Sequence, residues 1–123
     1  MSDQPDARAD GARLDVGLDA VRFGSDGLVP AVVVDAVDRE VLMLAWMSRE
    51  SLERSLASGR TVFWSRSRGE LWEKGATSGH VQRIVDIRVD CDEDALVITV
   101  EQTGAACHTG ERSCFHRGLV GAP

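Results

Sequence analysis

Arg83-Ile84-Val85-Asp86-Ile87-Arg88-Val89-Asp90-Cys91-Asp92-Glu93-Asp94-Ala95-Leu96-Val97-Ile98-Thr99-Val100 decides the fold. From Val81 to Asp90 the apolar residues mostly alternate with Arg83, Asp86, Arg88 and Asp90, the period-two signature of a half-buried strand. Ala95 to Val100 reads as a second strand, and the acidic window sits where the two join.

Working outward, Asp26-Gly27 marks a turn before the β-branched strand Val29 to Val34. A turn over Asp35 to Arg39 leads to Val41 to Met47, apolar on both faces and best placed as a buried strand paired with the previous one. Leu14, Leu18, Val21 and Phe23 have loosely helical spacing. Ser48 suits a helix N-cap, Glu50 the first turn, Leu52 and Leu56 follow one turn apart, and Gly59 closes the helix. Thr61 to Trp64 is a strand, Ser67 to Glu70 a tight connection and Leu71-Trp72 its return; Lys74 to His80 is a flexible loop rich in donors. The expectation is a strand-rich small single domain with one main helix, spanning 13–118, between a disordered leader at 1–12 and a short tail at 119–123.

The chain has 123 residues, a net charge of −6 and a pI near 5.0. That balance argues against a sequence-independent grip on nucleic acid, which needs Lys and Arg to displace counterions. There is no signal-peptide pattern and no run near the ~20 apolar residues of a membrane span. A cytoplasmic location is expected. Three cysteines cannot all pair within the chain, which leaves metal ligand, reactive thiol or buried filler.

All three cysteines and two of three histidines fall between Cys91 and His116. Asp90, Asp92 and Asp94 recur every second residue, so an extended segment would put their carboxylates on one side and Cys91 on the other. Carboxylates suit Mg²⁺ or Ca²⁺ and thiolates suit Zn²⁺, which points to two metal sites back to back. An EF-hand fails because Ala95 occupies the position that needs Gly and a β-branched strand follows. A solvated acidic turn is the plain alternative.

Cys91, Cys107 and Cys114 lack Cys-x-x-Cys spacing. Three protein ligands with one open position is the catalytic zinc arrangement, against the alternative of three unrelated buried thiols. His108, beside Cys107, is the candidate proton carrier, with zinc ligation or a supporting role left open; His80 and His116 divide between surface and site. Trp64, Ser65, Arg66, Ser67, Arg68, Trp72, Lys74, Thr77, Ser78 and Gly79 offer guanidinium forks, hydroxyls and backbone donors for phosphate, and indoles for stacking on a purine. The competing reading puts the tryptophans in the core and the arginines on a solvated face.

The phrases Glu40 to Met47, Phe63 to Arg68, Leu71 to His80, Asp90 to Asp94 and Ala106 to Phe115 together resemble the phosphoribosyl-AMP cyclohydrolase family of histidine biosynthesis. The resemblance runs in order from about Leu14 to Phe115. It implies an α+β fold, an intertwined homodimer with metal sites at the interface, and hydrolytic opening of the adenine ring of 1-(5-phosphoribosyl)-AMP at N1–C6. It also implies one Zn²⁺ per subunit, bound by Cys91 of one chain and Cys107 and Cys114 of the other, with Mg²⁺ on Asp90, Asp92 and Asp94. His108 would be the catalytic acid–base group, and Trp64 to Arg68, Trp72, Lys74, Thr77 to Gly79 and His80 would surround the substrate. Many relatives continue into a phosphoribosyl-ATP pyrophosphatase domain; with no such segment after Pro123, a monofunctional form is expected.

Overall fold

A computed structural model of the chain describes residues 14–123, so the expected leader at 1–12 lies outside the described residues. Among the described residues the elements are a 3-10 turn (Leu18–Ala20), β1 (Leu28–Asp35), β2 (Val41–Ser48), α1 (Arg49–Ser58), β3 (Val62–Ser65), β4 (Glu70–Glu73), β5 (Gln82–Val89) and β6 (Leu96–Gln102). They form one small, strand-rich domain with a single α-helix, as the residue patterning predicts, consistent with the α+β class that the family resemblance implies.

The six strands make one sheet in the order β4-β3-β2-β1-β6-β5. Every junction is antiparallel except β1–β6, which is parallel. A parallel pair cannot be joined by a tight turn, and here the whole of β2 to β5 forms the crossover. The sheet then curls back on itself. Ile84 N–H donates to Gly59 O at 2.8 Å, Thr61 N–H donates to Gln82 O at 3.3 Å, and Arg60 bridges Arg83. The segment feeding β3 thus covers part of the outer edge of β5 and nearly closes a barrel, which shields backbone groups that an open edge would expose.

Register explains the core. Val29, Ala31 and Val33 of β1 stand opposite Met47, Ala45 and Met43 of β2, and Val33 also stands opposite Ile98 of β6. These residues, with Phe63, Leu96, Val100 and Leu52 of α1, form one buried cluster. Full burial of residues such as Phe63, Met47 and Ile98 contributes roughly 1.5–3 kcal/mol each before chain entropy is counted. The opposite face explains why Val41 to Met47 reads apolar throughout: Leu44 is 45% exposed beside Val32, and Trp46 pairs with Pro30 and Trp64 outside the core.

Ser48 caps α1 by accepting from Ser51 N–H at 3.1 Å, and Gly59 ends it at φ 75°, both as expected. The buried face of the helix differs. It is Ser51, Leu52 and Ser55, while Leu56 is 57% exposed. Small side chains let the helix approach closely, and Ser55 Oγ accepts from Val62 N–H at 2.9 Å, tying α1 to β3. The helical spacing over Leu14 to Phe23 yields only the three-residue 3-10 turn, none of it buried, because no packed face holds a longer helix.

Candidate metal and catalytic site

The acidic window is a turn, not the extended segment its alternation implies. Asp90 organises it: its Oδ1 accepts from Asp94 N–H at 2.9 Å and Ala95 N–H at 3.3 Å, and its carbonyl accepts from Glu93 N–H at 3.0 Å. Glu93 takes a left-handed φ of 66° to complete the reversal. The result still gathers the three aspartates. Ligand oxygens of Asp90, Asp92 and Asp94 lie within 4.8 Å of one another, the only such group of three potential ligand side chains among the described residues. Burial, followed by the charges of Asp90 and Asp92, raises the pKa of Asp94. A hard divalent cation would relieve that repulsion, so the donor set fits Mg²⁺ or Ca²⁺.

Cys91 is exposed on the same turn, its Sγ 3.7 Å from Asp92 Oδ1. Beside it runs a groove of about 700 Å³ whose lining includes Leu14, Val16, Ile87, Val89 and Cys91.

The other two thiols are built by the segment after β6. Gly110 N–H donates to Cys107 O at 3.0 Å, Cys107 N–H to Glu111 O at 3.2 Å and Ala106 N–H to Arg112 O at 3.1 Å, a tight hairpin-like loop. Ser113 Oγ donates to Val41 O at 2.7 Å and Cys114 N–H to Leu42 O at 2.8 Å, pinning the far end to β2. The six intervening residues therefore fold back and bring the Cys107 and Cys114 side chains close enough for each to influence the other's acidity. The two thiols are driven apart in acidity. A hydrogen bond from Thr109 Oγ1 at 3.0 Å leads in lowering the pKa of Cys107, while burial leads in raising that of Cys114. The Lys74 ammonium lowers both. Thiol side chains are soft donors, so the chemistry of the pair fits a soft metal such as Zn²⁺. His108 is exposed on the turn between them, and His116 Nδ1 lies 2.9 Å from Ser113 O.

Cys91 and this pair do not meet within the chain. Cys91 precedes β6 and Cys107 follows it. Seven strand residues span roughly 20 Å.

The predicted substrate residues divide between the two ends of β4. Ser65 ends β3 and Arg66, Ser67 and Arg68 lie in the β3–β4 connection, where Arg66 lies 4.5 Å from the centroid of the Trp46 ring and Arg68 pairs with Glu70 at 3.3 Å. Trp64 is half-buried on the outer face opposite Leu71; Trp72 turns inward, 5.6 Å from Phe63. Thr77, Ser78 and Gly79 are exposed at the other end, where Ser78 Oγ accepts from His80 N–H at 3.1 Å. This second loop joins the thiol segment: the His80 ring packs on Gly104, Gln102 Nε2 donates to His80 O at 3.3 Å, and Lys74 Nζ donates to Ala106 O. Gly75, at φ 81°, permits this, since a Cβ there would lie 2.5 Å from the His80–Val81 backbone.

A family model described as phosphoribosyl-AMP cyclohydrolase matches residues 43–116, the span that runs from β2 to His116. The chain belongs to the phosphoribosyl-AMP cyclohydrolase family. It is 66% identical over 105 residues to the histidine biosynthesis bifunctional protein HisIE of Thermosynechococcus vestitus, covering 85% of this chain and 49% of that protein. It is 59% identical over 97 residues to the phosphoribosyl-AMP cyclohydrolase of Roseobacter denitrificans, covering 79% and 76%. With that of Rhodospirillum centenum it is 57% identical over 99 residues, covering 80% and 74%. The chain spans about half the length of the bifunctional relatives it matches.

In this member of the family, one supporting residue escapes a reading of the sequence. Arg112 bridges Asp35 at 3.4 Å, Asp38 at 2.9 Å, and Glu40, anchoring the thiol loop to the β1–β2 turn. Asp35 is itself buried and accepts from Val37 N–H at 2.9 Å. The three acids clustered over residues 35–40 are a signal that some cation must sit nearby. Nothing in the local pattern says which one.

Proposed function

We propose that this protein hydrolyses 1-(5-phosphoribosyl)-AMP, opening its adenine ring between N1 and C6, as a homodimer with one zinc site per subunit shared between chains. The observation that carries this reading is the Cys107–Cys114 pair with His108 on the turn between them. Two soft ligands beside an exposed imidazole suit metal-assisted hydrolysis. In this reading the third ligand is Cys91 of a second copy, which is supported by the length of β6 separating this chain's own Cys91 from the pair. When bound, Zn²⁺ supplies Lewis acidity and lowers the pKa of a water molecule toward ~7.

The chain's residues handle the rest. Ribosylation at N1 makes C6 electrophilic. Water oxygen adds to C6, the C6–N1 bond breaks, and N1 takes up a proton. His108 accepts the proton from water and returns it to N1, the exchange for which a histidine is suited near neutral pH. Asp90, Asp92 and Asp94 would hold Mg²⁺ against a substrate phosphate. Arg66, Arg68, Thr77 and Ser78 supply donors that turn binding into orientation. The reaction needs no nucleic-acid or membrane partner, and among the described residues no helix is long and apolar enough to cross a membrane. A cytoplasmic setting suits both the free thiols and a soluble nucleotide substrate.

The assay is direct. Purified protein incubated with phosphoribosyl-AMP is expected to give the ultraviolet change of purine opening, to lose it with a zinc chelator and to regain it with added Zn²⁺. Full turnover by protein shown to be zinc-free contradicts the mechanism. Zinc-dependent folding with no nucleotide binding would instead mark a non-catalytic, zinc-stabilised dimerisation module.

A further inference from the structure

We infer that Lys74 is a positioning residue that holds the Cys107–Cys114 half-site ready for its metal, and that it does not serve as a ligand for the substrate's phosphate. The inference rests on the proposed zinc reading. Lys74 belongs to a donor-rich loop, so its residue type alone suggests an anion partner. Its surroundings assign it elsewhere. Lys74 directly follows β4, and its backbone N–H donates to Thr61 O at 3.1 Å, which fixes where the side chain starts. The ammonium lies 5.5 Å from the centroid of the Trp72 ring, whose other neighbour is Phe63 of the core. From that half-buried position Nζ donates to the carbonyl of Ala106, the residue directly before Cys107.

Each contact limits a different freedom. Stacking on an aromatic face and donating to a carbonyl together leave the ammonium little room to swing out to solvent. Ala106 is buried and pairs with Arg112 O through its own N–H, so the Lys74 contact completes a two-sided clamp on the backbone that presents Cys107. The charge also suits the site. Zn²⁺ with three thiolates carries a net charge of −1, and a fixed cation nearby offsets it as the metal settles.

The test uses the full-length protein with Lys74→Met, which keeps the stem and removes the charge and donors, and Lys74→Arg, which keeps the charge and a donor. Three readouts are compared with wild type: zinc affinity by competition with a chromophoric chelator, the alkylation rate of Cys107 in metal-stripped protein, and KM and kcat at saturating zinc. Lys74→Met is expected to weaken zinc binding by 10- to 100-fold, the usual effect of losing a group that orients a metal ligand. It should also slow Cys107 alkylation several-fold and leave KM for phosphoribosyl-AMP within about twofold, while Lys74→Arg recovers most of the zinc affinity. A KM raised tenfold or more with zinc affinity unchanged makes Lys74 a phosphate ligand and overturns the inference. Unchanged zinc affinity with unchanged KM overturns it as well. Failure of wild-type protein to bind zinc is a separate result, and it removes the proposed zinc reading on which the inference depends.

Discussion

Substituting Cys107 or Cys114 by Ala is expected to remove zinc and turnover together, with kcat below roughly 10⁻³ of wild type. If three thiolates share an apparent binding free energy of ~10 kcal/mol or more, losing one weakens zinc by roughly 10²-fold or more. On the proposed mechanism the remaining pair would also no longer hold a metal in the geometry that catalysis needs, so activity should fall further than affinity. The fold should survive, because Cys107 and Cys114 both lie after the last strand and neither belongs to the main buried cluster. Metal analysis, circular dichroism and steady-state kinetics on the same preparations check the three parts. A folded, zinc-free Cys107→Ala protein with wild-type kcat contradicts the proposed mechanism.

His108→Ala gives the complementary pattern: zinc retained and kcat lowered about 10²-fold or more, the usual scale for removing a general acid–base group. KM should change little, since the imidazole acts on a proton in flight and not on the ribose or phosphates. The exposed position of His108 on the 107–110 turn makes a folding defect the lesser concern. Unchanged kcat moves the acid–base role elsewhere. Loss of zinc along with activity makes the same residue a metal ligand, the alternative its position beside Cys107 leaves open.

Much of the fold is legible in the sequence because local rules and burial agree. The alternation in β5, the β-branched runs of β1 and β6, and the Ser48 and Gly59 caps of α1 all specify the element they form. Where the two disagree the sequence misleads. Leu56 looks inward by its spacing from Leu52, yet the hydroxyl of Ser55 takes the buried place because it satisfies a backbone donor of β3. The candidate site is legible as residue types and not as geometry. The grouping of Asp90, Asp92 and Asp94 comes from a turn that Asp90 itself caps, and no spacing rule for extended chain describes that. The approach of Cys107 to Cys114 depends on pinning to β2, more than sixty residues earlier, and on Arg112 finding the 35–40 turn. Contacts of that range leave no periodicity to read.

The central claim is that a working site takes Cys91 from one chain and Cys107 with Cys114 from another. Co-expressing Cys91→Ala and Cys107→Ala chains with different affinity tags, and purifying the dimer that carries both, tests it most directly. Each variant alone is inactive, but the mixed dimer pairs one doubly damaged site with one intact site. Activity near half of wild type, with about one zinc per dimer, is the predicted result; a mixed dimer as inactive as its parents would contradict the claim.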